Sequence, residues 1–197
     1  DVEHVDAGEL LEQHALALHH RLAGERADVA EAEDRARLWR FRARTTEAVN
    51  AAGVPVKLDV GVPLAGFAAA LEAISGAVRD VGDAAAVAVE PVLFGHLAEG
   101  NVHVNLLPGP SAPDRRFPEE LAARLEAAVL ERVLAAGGTI SAEHGIGRAK
   151  RAWLPRQRGA EQVALMRRIK AAWDPAGLLN PGALVDGYAS GENGRLQ

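Results

Sequence analysis

Two histidines, His96 and His103, stand in a stretch of apolar and β-branched sequence, and a carboxylate followed by a third imidazole, Glu143-His144, stands between glycines further along. Two imidazoles and one carboxylate are a common set for a divalent ion that keeps open positions for substrate. A hairpin turning at Glu99-Gly100 would set Leu97 against Val102 and His96 against His103, with opposed Cβ atoms about 5 Å apart. Along its second strand Val102, Val104 and Leu106 point one way and His103 and Asn105 the other, so His96, His103 and Asn105 form one polar patch. Two imidazoles at that distance repel if both are protonated. A neutral pair or a shared metal is then the comfortable arrangement, beside a plain packing role. The glycines of Ser141-Ala142-Glu143-His144-Gly145-Ile146-Gly147 let backbone approach a ligand closely, although the same segment also reads as an exposed polar turn.

A second constellation is cationic. Arg42 and Thr46 lie four apart and share one side of a helix. Lys57 falls on the polar face of the strand that follows. Together they would cradle an anion, since guanidinium grips a carboxylate bidentately and ammonium adds point charge. Arg37 and Arg40 read as a solvated face.

The chain that must position these groups has 197 residues, 22 Lys+Arg against 27 Asp+Glu for a net charge of -5, and 4% aromatic residues. The acidic balance and scarcity of rings argue against a nucleic-acid surface. Zero cysteines exclude disulfides, thiolate nucleophiles and Cys-ligated metals, fit a reducing compartment, and make the cytoplasm the default location. The longest apolar run, Ala84 to Phe94, is far shorter than the roughly 20 residues of a spanning helix, and no basic-then-apolar leader opens the chain, so no integral membrane segment is expected. A chain opening on Asp1 close to a helical pattern reads as a piece of a longer protein.

Apolar spacing predicts helices over Ala7–Leu22, Ala36–Ala51 and Pro63–Arg79. Val54–Val62 alternates as a strand, with Lys57 and Asp59 on one face. Strands follow over Val87–Leu97 and Val102–Leu107, joined by a tight turn at Ala98–Asn101. After a breaker-rich loop over Leu107–Arg116 come a helix over Pro118–Ala136, a short extended Thr139–Ser141, and a last helix over Glu161–Trp173 closed by Asp174-Pro175. The expected fold is α+β: an antiparallel sheet covered by helices over residues 1–108, a mainly helical segment over 109–188, and a disordered tail over 189–197.

Three segments together, GHLAEGNVHVN, SAEHGIGRAK and MRRIKAAWDPAGLLNPG, resemble the C-terminal part of FAD-linked 2-hydroxyacid dehydrogenases and oxidases of the vanillyl-alcohol oxidase type. That group includes enzymes acting on D-2-hydroxyglutarate, D-lactate and glycolate. The likeness extends to LWRFRARTTEAV and VKLDVGVPL, and so spans roughly Leu38 to Leu184. It implies a ferredoxin-like cap domain, with the FAD-binding domain absent from this chain. It also implies that the chain would not hold FAD tightly alone.

Residue by residue, the resemblance makes His96, His103 and Glu143 ligands of a divalent metal, zinc or manganese. It makes Asn105 and His144 substrate contacts with His144 the base, and Arg42, Thr46 and Lys57 the holders of substrate carboxylate. Asn180 falls where the family's chain returns to the flavin domain. The reaction implied is metal-assisted oxidation of a D-2-hydroxy acid to the 2-oxo acid, with hydride passing to FAD and an electron acceptor left unspecified. Two positions differ from the family's usual Gly-Asp-Gly-Asn and Ser-Gly-Glu-His, namely Ala98 and Ala142. Ala98 would enter a primed turn only at some cost if the central positions shift. Two other readings of the same residues are a non-catalytic cap-like module binding a small anion or a flavoprotein partner, and a metal-dependent hydrolase.

Overall fold

The computed structural model describes residues 35–185. The chain divides into two units between Thr45 and Thr46. The helix expected over Ala7–Leu22 and the tail from Ala189 lie outside the described residues. Helix α1 (Arg35–Ala52) runs across the division between the units and stops at Gly53, as its spacing predicts.

Within the second unit the order is β1 (Val56–Gly61), α2 (Phe67–Ala84), β2 (Val89–Phe94), β3 (Asn101–Pro108), α3 (Glu119–Ala135) and α4 (Leu154–Trp173). The strands pair antiparallel in the order β1-β3-β2. On the outer side of β1, Gly61 and Thr139 exchange backbone bonds of 2.9 and 2.8 Å. Thr139 thus occupies the place of a fourth strand, reduced to one bridge, and the β-α-β-β-α-β order is that of a ferredoxin-like sheet.

Strand periodicity gives the sheet two unlike faces. Leu58, Val60, Val102, Val104 and Leu106 turn to one side, where Ile74 and Val78 of α2 and Leu125, Val129 and Val133 of α3 close over them. Burying each such side chain is worth about 1.5–3 kcal/mol, so this layer fixes the register of all three strands. The opposite face carries Lys57, Asp59, His103 and Asn105. Register sets Asp59 directly across from His103 and Lys57 across from Asn105.

Helix α4 begins at Leu154, seven residues before the predicted start at Glu161. Gly159, at φ 78 and ψ 159, breaks the backbone between a first turn carrying Pro155 and the regular helix after it. The apolar spacing legible in the sequence is only that of the second piece. Asp174 closes the helix, its carboxylate accepting from the Leu178 and Leu179 N–H groups at 2.8 and 2.9 Å and from Lys170 Nζ at 2.5 Å. The Lys170 contact, partly opposed by burial, helps to hold the Asp174 carboxyl below its ordinary range. From there the chain doubles back, with Leu184 N–H donating to the Gly147 carbonyl at 2.8 Å and Arg151 donating to the Gly182 carbonyl at 3.0 Å. Val185 buries itself with Leu154 and Val163. Among the described residues no helix is long and apolar enough to cross a membrane.

Candidate metal and substrate site

The β2–β3 connection differs from the expected two-residue turn. His96 and Asn101 exchange backbone bonds of 3.1 and 3.2 Å, closing a four-residue loop whose first three residues, Leu97–Glu99, form a 3-10 turn. His103 consequently faces Phe94 in register rather than His96. A slip of two residues preserves which face each side chain takes, so His96 and His103 remain neighbours, with ring centroids 5.9 Å apart and edge-on. Among Leu97–Gly100 only Gly100 has positive φ, at 69°, and Ala98 has none of the strain a primed turn would impose.

Gly100 is also forced by contact, because a Cβ there would lie 2.2 Å from the Val62 carbonyl oxygen. Gly100→Ala should therefore cost about 1–2 kcal/mol for the left-handed backbone and about 1–3 kcal/mol more for the clash. Urea denaturation should show this as a lowered midpoint. An unchanged midpoint would mean that the loop re-forms without the left-handed residue.

The second half of the site is hung from β1. Asp59, with its side chain fully buried, accepts through Oδ2 from the backbone N–H groups of Ala142, Glu143 and His144 at 3.0, 2.7 and 2.9 Å. Burial pushes the Asp59 carboxyl up. The N–H donors of His144, Glu143 and Ala142 and the nearby His144 ring outweigh it and hold the group below its ordinary range. Lys150 anchors the same point from outside the sheet, donating from Nζ to the Asp59 carbonyl at 2.8 Å. Burial lowers the Lys150 pKa against the opposing charges of Asp59 and Glu126.

This suspension presents Glu143 to the hairpin. Its Oε1 lies 2.6 Å from His96 Nδ1 and its Oε2 4.0 Å from His103 Nε2. The hydrogen bond from His96 draws the Glu143 pKa down against slight burial, helped by Asn101 and the charges of both histidines. His144 stacks on His103 at 5.7 Å and 22°. The ligand atoms of His96, His103 and Glu143 all lie within 4.8 Å of one another. Two imidazole nitrogens and a carboxylate at this spacing suit zinc or manganese, with positions left for substrate oxygens. Asn101 Oδ1, beside this group, is buried without a hydrogen-bond partner among the described residues.

The other sequence candidates fall into place unequally. Asn105 is buried on the polar face, two residues from His103, with Nδ2 3.5 Å from the Val92 carbonyl. Lys57 Nζ donates to Asn50 Oδ1 at 2.7 Å, and Asn50 stands one helical turn beyond the exposed Thr46. Arg42 belongs to the other unit. Asn180 is exposed in the turn after α4, at φ 44, with its carbonyl accepting from Ala183. Asp59, Lys150, Asn101 and Asn50 were not legible as site residues. For Asp59 the one signal was a carboxylate on the same strand face as Lys57.

The chain matches the family of FAD linked oxidases, C-terminal domain, over residues 2–184, and it belongs to that family. Among curated proteins it is 38% identical to the D-2-hydroxyglutarate dehydrogenase of Xanthomonas citri pv. viticola over 160 residues, 80% of this chain and 32% of that protein. It is 37% identical to the mitochondrial D-2-hydroxyglutarate dehydrogenase of Danio rerio, over 73% of this chain and 25% of that protein. It is 34% identical to the D-2-hydroxyglutarate–pyruvate transhydrogenase of Saccharomyces cerevisiae, over 74% of this chain and 29% of that protein. The chain thus spans about a quarter to a third of the length of these relatives.

Proposed function

We propose that this chain is the substrate-binding part of an FAD-dependent dehydrogenase that oxidises a D-2-hydroxy acid to the 2-oxo acid, with D-2-hydroxyglutarate as the substrate. The observation that carries this reading is the meeting of His96, His103 and Glu143 within 4.8 Å, with His144 stacked against His103. Membership of the FAD-linked oxidase family and the names of the relatives support it.

His96, His103 and Glu143 would hold a divalent ion, which when bound supplies Lewis-acid charge that lowers the pKa of a substrate hydroxyl. FAD, held by a portion of the protein outside this chain, supplies the acceptor for the α-hydrogen and its electron pair. The residues of this chain do the rest. His144 takes the hydroxyl proton, work suited to an imidazole near neutrality. Asn105, fixed on the strand beside His103, hydrogen-bonds the α-carboxylate. Lys57 and Thr46 receive the distal carboxylate, and the family resemblance makes Arg42 a further carboxylate-holding residue. Asn180 is assigned to the return of the chain towards the flavin portion on the same ground.

The preference for a dicarboxylate rests on register. Lys57 lies directly across from Asn105 on the site face, and its ammonium, which reaches Asn50 Oδ1 at 2.7 Å, supplies a positive charge for a second acid group that lactate and glycolate lack. Anaerobic titration of the flavin-loaded protein with D-2-hydroxyglutarate, D-lactate and glycolate checks this. Bleaching of the flavin absorbance by D-2-hydroxyglutarate at the lowest concentration is the expected result. Bleaching by lactate or glycolate alone would overturn the dicarboxylate assignment. No bleaching by any of the three would overturn the dehydrogenase reading.

A further inference from the structure

Asp59 is a charged side chain sealed inside the sheet face, and its two oxygens meet different halves of the site. Oδ2 is filled by the three N–H groups that shape Ala142–His144. Oδ1 is buried without a well-formed hydrogen bond among the described residues, and the nearest nitrogen of a titratable ring is His103 Nδ1, 3.4 Å away. That gap exceeds a well-made N–H···O bond by a few tenths of an ångström, which a small rotation of the ring removes. The same ring turns its Nε2 toward Glu143, 4.0 Å from Oε2.

We propose that Asp59 is the positioning residue of this site, acting through Oδ2 on the loop that carries Glu143 and through Oδ1 on the tautomer of His103. The inference rests on the reading of His96, His103 and Glu143 as metal ligands. An ionised carboxylate can only accept, so Nδ1 of His103 carries the ring proton and Nε2 keeps its lone pair on the side of Glu143 and His96. A carboxylate behind a ligating histidine fixes both the orientation and the basicity of the ring. Asp59, His103 and His144 also come within 4.8 Å of one another. With Oδ2 already filled by three donors and the side chain sealed from solvent, that trio orients the site and does not form a second ion site.

Asp59→Asn separates the two functions. The three loop donors hold the amide oxygen where Oδ2 was, so the amide NH2 replaces Oδ1 and donates to His103 Nδ1. The ring proton then moves to Nε2 and blocks the lone pair. Long-range 15N–1H correlation on the metal-free full chain, at a pH where the ring is neutral, should show His103 as the Nδ1–H tautomer in the unaltered protein and the Nε2–H tautomer in the variant. Competition of zinc chloride against a chromogenic chelator should show zinc binding about 10- to 100-fold weaker in the variant.

An Nε2–H tautomer in the unaltered protein overturns the proposal, and that measurement stands even if the variant does not fold. A folded variant with unchanged tautomer and zinc affinity within twofold also overturns it. If the unaltered chain takes up no zinc, the metal reading fails, while the tautomer comparison still decides what Asp59 does.

Discussion

Replacing His103 with alanine is expected to empty the site of metal. Protein purified without chelator or nickel resin should carry close to one zinc or manganese per chain by elemental analysis, and the His103→Ala protein almost none. The expectation follows from where His103 sits. Its Nε2 lies toward Glu143, Phe94 packs on its ring at 5.2 Å, and His144 stacks on it at 5.7 Å. It is the only one of the three proposed ligands that is largely shielded from solvent; His96 and Glu143 are both exposed. Without it, His96 and Glu143 are left as a hydrogen-bonded pair 2.6 Å apart, and two exposed ligands satisfy too little of a tetrahedral ion to hold it against water. Since His103 lies on the polar face, away from Ile74, Leu125 and Val129, the fold should persist, and far-UV circular dichroism should be unchanged. Equal metal in both proteins would remove His103 from the ligand set.

The sequence reached the site unevenly, for reasons that are physical. Alternation was enough to put Lys57 with Asp59 on one face of β1 and His103 with Asn105 on one face of β3, because one buried layer forces period two on each strand, while the pairing of β1 with β3 that joins the two faces was not legible. The hairpin register was not legible. A two-residue primed turn centred on Glu99-Gly100 needs positive φ at Glu99, in type I′ and type II′ alike, and glutamate resists it, so the chain closes through a 3-10 turn and pairs His96 with Asn101 instead. The slip is even, which is why the predicted patch survived the wrong pairing.

Asp59 was illegible in another way. Its partners lie 83 to 85 residues away in sequence, and nothing local distinguishes an aspartate that gathers three N–H groups from one that faces water. Lys150 follows Gly147-Arg148-Ala149 with no local apolar pattern to mark it as buried, yet it is buried with its ammonium on the Asp59 carbonyl. Such contacts are set by the packing of α3 and the bridge at Thr139, which no short window contains.

His144→Asn should give the largest loss of turnover that leaves the metal in place. The side chain of His144 is not among the three proposed ligands, and its structural duty, donating to Asp59 Oδ2 at 2.9 Å, belongs to its backbone N–H. Asparagine keeps that N–H and a polar tip, but it has no nitrogen that can hold a proton near neutral pH. Removing a general base costs typically about 10²–10⁴ in rate. In the flavin-loaded protein the reductive half-reaction should therefore slow by that factor, while metal content stays as in the unaltered protein. Because the lost step is removal of the hydroxyl proton, raising the pH should recover part of the rate in the variant, as substrate ionisation begins to replace the missing base. A variant with full turnover would assign the proton to another group. One that loses metal and turnover together would make the stacking of His144 on His103 a support for the ligand rather than a place where a proton is taken.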